Sequence, residues 1–344
     1  FMVKGFKDTV LSVKVQGFLK EVKERYTGKT KWRYIIATLI LVCSIGYLLI
    51  YSYGEISSYT LNKSLEERHN SVSDNIAAVS VGGKLEDKSE SLSKYELSVD
   101  SLMPAETEEE ESLAEEGIEE REPLDVLPSM RAFFKENKDT VGWIKVGGTK
   151  INNVVVQTTD NDFYLHSDFT KKESQPGTIF ADYRCNVCDY SDLQSRTIIL
   201  YGHKQANGTM FGTLHKYNNN LDFYKENPTF EFSNLFEKYN YKIISMFVVA
   251  TDEKQEANGE LFDYQNYINF DETGKYTFYN FINNIKSRSQ VNIPVDIRLD
   301  DKFLIMSTCS YEFNDARFVV VGRRVREGED LYVNVDKATV NKRK

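Results

Sequence analysis

The sequence predicts a mainly β protein, a closed or nearly closed eight-stranded β-barrel with helical insertions, preceded by one transmembrane helix. Three observations carry that prediction. Residues 34–54 hold no charged side chain over 21 positions. After about residue 124, eight short β-like runs succeed one another, several parted by turn signals such as "VGGTK" and "QPGT". Aromatic residues make up 13% of the chain, an abundance that favours β structure and supplies a core.

The elements follow in order. Residues 1–33 carry nine Lys/Arg against three Asp/Glu, a basic tail. The apolar stretch 34–54, "YIIATLILVCSIGYLLIYSYG", would rise about 30 Å as a helix, enough for a bilayer core. Trp32, Tyr34, Tyr51 and Tyr53 stand at its ends, where aromatic belts stand in membrane proteins. A buried helix would rarely run so long without polar relief. A cleaved signal peptide needs a small-residue site soon after the apolar run, and "YSYGEISSYTLNK" offers only a weak one. An uncleaved anchor is therefore expected, with Cys43 as a small apolar residue mid-span. The bases Lys23, Arg25, Lys29, Lys31 and Arg33 precede it, which orients the N-terminus to the cytoplasm and all that follows to the outside.

Residues 55–123 read as an extracellular stalk and spacer, with His69 as a solvated helix-face residue. Ten Glu against one Arg between 106 and 122 form an acidic, self-repelling tract. The folded domain is expected over 124–330 and a C-terminal tail over 331–344. It opens with a short amphipathic helix whose Leu127, Met130, Phe133 and Phe134 share a face. The β-like runs are 142–146, 151–157, 178–181, 196–201, 229–232, 241–250, 303–307 and 317–325, interrupted by a short helix after Gly212 and a longer one around 276–286. The net charge of −9 and the absence of a broad basic surface argue against a nucleic-acid partner. Four cysteines, Cys43, Cys185, Cys188 and Cys309, do not make a disulfide scaffold.

Chemistry concentrates at strand ends. Cys309 follows the run "FLIMST", which carries it from a sheet into a loop. A nucleophilic thiol needs exposure, a nearby base or positive charge, and donors for an oxyanion. Inert packing is the usual fate of a cysteine, but an unpaired thiol on an extracellular loop is chemically vulnerable. His203 ends the apolar run of "RTIILYGHKQANGTMFG" beside a turn, so it is the candidate base. His215, within "TLHKY", competes for that role but reads more like a helix-face residue. Arg317 opens the last strand with permanent charge and fixed donors, suited to a substrate carbonyl or an oxyanion. Arg323 and Arg324 lie further along, one directed to each face.

The segments "TVGWIKVGGTKINNVVVQTTDNDFYL", "GTIFADYR", "YGH" with "NGTMFG", the strand-end "STC" and "ARFVVVGRRV" occur in this order. They resemble class B sortases, cysteine transpeptidases of the Gram-positive cell surface, over about residues 124–326. The resemblance implies a closed sortase-type barrel in which His203 is the catalytic histidine, Cys309 the nucleophile and Arg317 the oxyanion-stabilising or substrate-positioning arginine. It implies that Ser307 and Thr308 line the groove for the signal peptide, and that the helix around 276–286 is the one class B members carry between the sixth and seventh strands. The implied reaction cleaves a C-terminal sorting motif of a secreted protein through a Cys thioacyl intermediate and transfers that protein to a peptidoglycan precursor or stem-peptide amine. It requires no cofactor and no metal. A hydrolytic cysteine peptidase, a pilin-polymerising sortase using the same three residues, and a catalytically silent surface module are the alternatives. Two features fall outside the pattern: the acidic tract, and "RCNVCDY", whose Cys185 and Cys188 could be reduced in a surface loop, joined as a local disulfide or half of a metal site.

Overall fold

The structure, a computed structural model, describes residues 29–81, 125–189, 193–250, 261–309 and 316–342. The basic tail before residue 29 and the acidic tract at 106–122 lie outside the described residues. The chain divides into two units, Phe1–Ile56 and Ser57–Lys344. Helix α1, Lys29–Val81, contributes to both. In the first unit its side chains from Ile35 to Tyr53 are largely exposed, Leu39, Leu49 and Ile50 among them, and the segment is long and apolar enough to cross a bilayer.

In the second unit, eight strands close into a barrel: β1 (Thr140–Val146), β2 (Asn152–Val156), β3 (Phe180–Ala181), β4 (Thr197–Tyr201), β5 (Thr229–Asn234), β6 (Lys238–Val249), β8 (Phe303–Cys309) and β9 (Arg317–Arg324). The order around it is β1-β2-β3-β4-β8-β9-β6-β5, and β5 pairs back onto β1. Most pairs are antiparallel, but β2 with β3 and β4 with β8 are parallel. The predicted eight-stranded architecture is therefore present, with boundaries shifted by a few residues. Helix α2 (Pro128–Glu136) precedes the barrel, α3 (Leu221–Glu226) leads into β5, and α4 (Phe278–Arg288) lies between β6 and β8.

Strand alternation divides the apolar side chains into two layers. Ile144, Val155, Ile199, Phe232, Phe247, Ile305 and Val320 belong to the main core. Trp143, Val154 and Val156 face the other way, onto Met130, Phe133 and Phe134 of α2. Leu65 of α1 joins that second cluster and is 2% exposed. The expectation of a free stalk and a solvated His69 is corrected here. The His69 ring stacks on Trp143 with centroids 4.0 Å apart, and Asn152 bonds at once to the Trp143 indole and to Glu66. Leu61, Leu65 and His69 recur at four-residue intervals and so share one helix face. That stripe, only two leucines wide, is hidden among charged neighbours.

The segment expected as a C-terminal tail is also packed. Residues 339–340 form β10 (Thr339–Val340), which pairs with β7 (Val291–Asn292), while Val333 and Ala338 are buried. Arg323 turns inward and is fully buried against Glu329 at 2.6 Å, whereas Arg324 lies over the Tyr239 ring.

Candidate active site

The site lies where β4 and β8 end and β9 begins. Parallel pairing of β4 with β8 sets Tyr201 beside Ser307, and the Gly202 amide continues it by donating to the Ser307 carbonyl. Two residues beyond the Tyr201–Ser307 pair along each chain, the same register leads to His203 and Cys309. On the other side of β8, the antiparallel register places Arg317 directly opposite Cys309. Three residues far apart in sequence thus reach one rim, His203 and Cys309 because their strands run in the same direction and Arg317 because β9 begins where β8 ends.

The turn that delivers His203 explains its glycines. A Cβ on Gly202 would lie 2.9 Å from the Phe211 ring, and one on Gly212 would lie 2.4 Å from the Gln205 carbonyl oxygen. The loop closes on itself through the Phe211 amide and the His203 carbonyl, 3.0 Å apart. His203 is half-buried, with Nε2 at 2.9 Å from the Leu165 carbonyl. A carbonyl can only accept, so Nε2 carries the hydrogen and Nδ1 is the basic nitrogen of the neutral ring. Burial lowers the His203 pKa below 6.5, and electrostatic repulsion from the side of His166 and Arg317 lowers it further against the opposing Leu165 bond. These surroundings favour the neutral ring.

His203 and Arg317 line a cleft of about 230 Å³ together with Ser307, Thr308, Asn161, Leu165, Tyr201 and Gln265. Ser307 and Thr308 are each 2% exposed. Ser307 shares a 2.7 Å hydrogen bond with the Tyr264 hydroxyl, while the buried Thr308 Oγ1 has no hydrogen-bond partner among the described residues. Sequence reasoning did not single out Asn161, Leu165, Tyr201 or Gln265. Asn161 and Leu165 fall inside "TTDNDFYL" and Tyr201 inside "YGH", so motif proximity could have found them; nothing in the sequence around Gln265 marks it.

The remaining candidates are held elsewhere. His215 packs its ring against Phe318, with centroids 4.9 Å apart, and does not line the cleft. Cys185 and Cys188 carry free thiols, so the pair is reduced and not joined as a disulfide, and it lies in a loop where Cys185 is buried and Cys188 half-buried. Cys185 is buried with its thiol 3.6 Å from the Thr197 carbonyl, and Cys188 lies 3.2 Å from that of Val141. Burial pushes both thiols up to about 12, which keeps them protonated and inert. Among the described residues no group of three or more His, Cys, Asp or Glu is placed to hold a metal ion.

No family model matches the chain. A sortase B of Staphylococcus aureus is 32% identical over 203 residues, covering 58% of this chain and 76% of that protein. A sortase B of Listeria monocytogenes is 30% identical over the same length, with the same coverage. A solved sortase B–substrate complex from Staphylococcus aureus aligns with 58% of this chain and 86% of its own at 31% identity, with a TM-score of 0.49. On the extent of its likeness to these two relatives, the chain belongs to the sortase B family of cysteine transpeptidases.

Proposed function

We propose that the protein is a membrane-anchored transpeptidase, its catalytic domain outside the cell, that joins secreted proteins bearing a C-terminal sorting motif to a peptidoglycan amine. The observation that carries the reading is the convergence of His203, Cys309 and Arg317 on one rim, set by the pairing of β4, β8 and β9.

In this reading the Cys309 sulfur attacks the scissile carbonyl carbon, and the carbonyl oxygen becomes an oxyanion facing the Arg317 guanidinium. As the C–N bond breaks, protonated His203 delivers a proton from Nδ1 to the departing amine. The thioester that remains is attacked by an incoming amine, whose proton His203 takes, and Cys309 leaves as a thiolate. A ring whose pKa is lowered suits the second step as a base, and the Cys309 thiol proton, passed to His203 as the sulfur attacks, is the proton delivered in the first. Ser307, Thr308, Asn161 and Gln265 line the groove that would receive the motif. The domain over 124–330 carries the chemistry, α1 holds it to the membrane, and the bases before residue 34 keep the N-terminus in the cytoplasm.

Product analysis tests this reading. Full-length protein in detergent, given sorting-motif peptides with a diaminopimelate or oligoglycine amine, is expected to yield the amine conjugate. Release of hydrolysed peptide alone, unaffected by added amine, would make the protein a peptidase instead.

A further inference from the structure

We propose that the Asp182–Arg184 pair, a buried carboxylate held by a partly exposed guanidinium, is a positioning hub that holds three walls of the cleft at a fixed separation; this rests on the cleft being the peptide groove of the transpeptidase. Neither residue lines the cleft. Asp182 follows β3 and is fully buried. Its carboxylate accepts five hydrogen bonds. Oδ1 takes the Arg184 Nε at 2.9 Å and the Arg184 amide at 3.1 Å. Oδ2 takes the Arg184 Nη2 at 2.8 Å, the Tyr201 hydroxyl at 2.9 Å and the Asn161 side-chain amide at 3.1 Å.

Each partner belongs to a different wall. Tyr201 ends β4 two residues before His203. Asn161 lies in the segment after β2, and its side-chain oxygen also accepts the Tyr183 amide at 3.0 Å. The third wall is the 3-10 turn Tyr264–Asn266, reached by the outer edge of Arg184: Nη2 donates to the Gln265 carbonyl at 3.0 Å and Nη1 to the Asn266 side chain at 3.2 Å. A planar guanidinium can face a carboxylate on one edge and a carbonyl on the other; a lysine ammonium cannot bridge both. Burial would raise the Asp182 carboxyl, yet the Arg184 side chain and amide and the Tyr201 hydroxyl outweigh it and hold the pKa below 3.8. The pair therefore stays ionised at working pH.

The test uses the full chain in detergent and two variants, Arg184→Lys and Asp182→Asn. Three quantities are read: KM and kcat for a sorting-motif peptide, the rate at which a small methanethiosulfonate modifies Cys309, and amide exchange at Asn266 and Tyr267. A positioning role predicts that Arg184→Lys raises KM about tenfold with kcat changed less than about twofold, because uniform binding is lost. It predicts unchanged thiol modification, since that small reagent needs no groove. It also predicts faster exchange at the two turn amides, which bond to Asp263 and Tyr264, with the strand amides of β4 and β8 unaffected. Asp182→Asn is expected to act in the same direction and more strongly.

Unchanged KM, or unchanged exchange in the turn, would overturn the proposal. So would parallel loss of peptide turnover, thiol modification and strand protection, which marks a general folding defect. If the wild type turns over no peptide while the variants loosen the turn, the transpeptidase reading fails and the hub stands on the exchange result.

Discussion

His203 is the residue whose surroundings say most about its chemistry. Its Nε2 is committed to Leu165, its ring is half-buried, and its pKa lies below 6.5. A group whose folded pKa is lowered binds fewer protons folded than unfolded over that window, so stability rises with pH up to 6.5 and is lost as the pH falls through the folded value. In a Cys309→Ala variant, which removes any coupling to the thiol, an NMR titration of the His203 ring should give a midpoint below 6.5. A midpoint above that value would contradict the account of the site's electrostatics. Arg317 supplies fixed donors, so Arg317→Ala should lower kcat/KM for peptide about 10²- to 10³-fold, the usual cost of losing an oxyanion donor. A loss within about threefold, measured on folded protein, would remove Arg317 from the mechanism.

At the scale of elements, the segment of α1 after residue 56 is part of the folded domain. Leu65 is buried against Phe133 and Trp143, and Glu66 and His69 meet Asn152 and Trp143. Leu65→Ala should cost about 2–3 kcal/mol, the low end for a buried leucine because the site is at the domain's margin; denaturant unfolding checks it. A change below about 0.5 kcal/mol would mean that the helix does not dock in solution. The strands were legible in the sequence because their β-branched and aromatic runs are long and bounded by turns. The docked helix was not, because an apolar stripe of Leu61 and Leu65 among "NKSLEERHN" looks like a solvated face until Trp143 is there to receive it. Arg317 and Cys309 were legible as strand ends. Gln265 was not, because Arg184 brings it to the cleft through its backbone carbonyl, and a carbonyl leaves no mark in a sequence.

For the whole molecule, the barrel is tied together after β9 as well as at the cleft. Glu329 joins fully buried Arg323 at 2.6 Å and Lys242 at 2.7 Å, and Arg326 reaches Asp301 at 2.6 Å. The Arg323 guanidinium, aided by Lys242 and opposed by burial, holds the Glu329 carboxyl well below 4.5. A depressed carboxylate stabilises the fold fully above its unfolded pKa, so this contribution is present above pH 4.5 and declines as the pH falls below it. Glu329→Gln leaves the buried Arg323 guanidinium only the more distant Asp296 carboxylate, 3.8 Å away, and should cost about 3 kcal/mol at pH 7, with a smaller cost at pH 3. An equal cost at both pH values would contradict the ionised pairing. The central claim, that the barrel brings one thiol into a transpeptidase site, is tested most directly by intact mass. Full-length protein in detergent is incubated with sorting-motif peptides and quenched before and after addition of an amine. The account predicts a thioacyl adduct on Cys309 that is absent in Cys309→Ala and disappears on amine addition, whereas an adduct on another residue, or none with any peptide while Cys309 still reacts with a small thiol reagent, would contradict it.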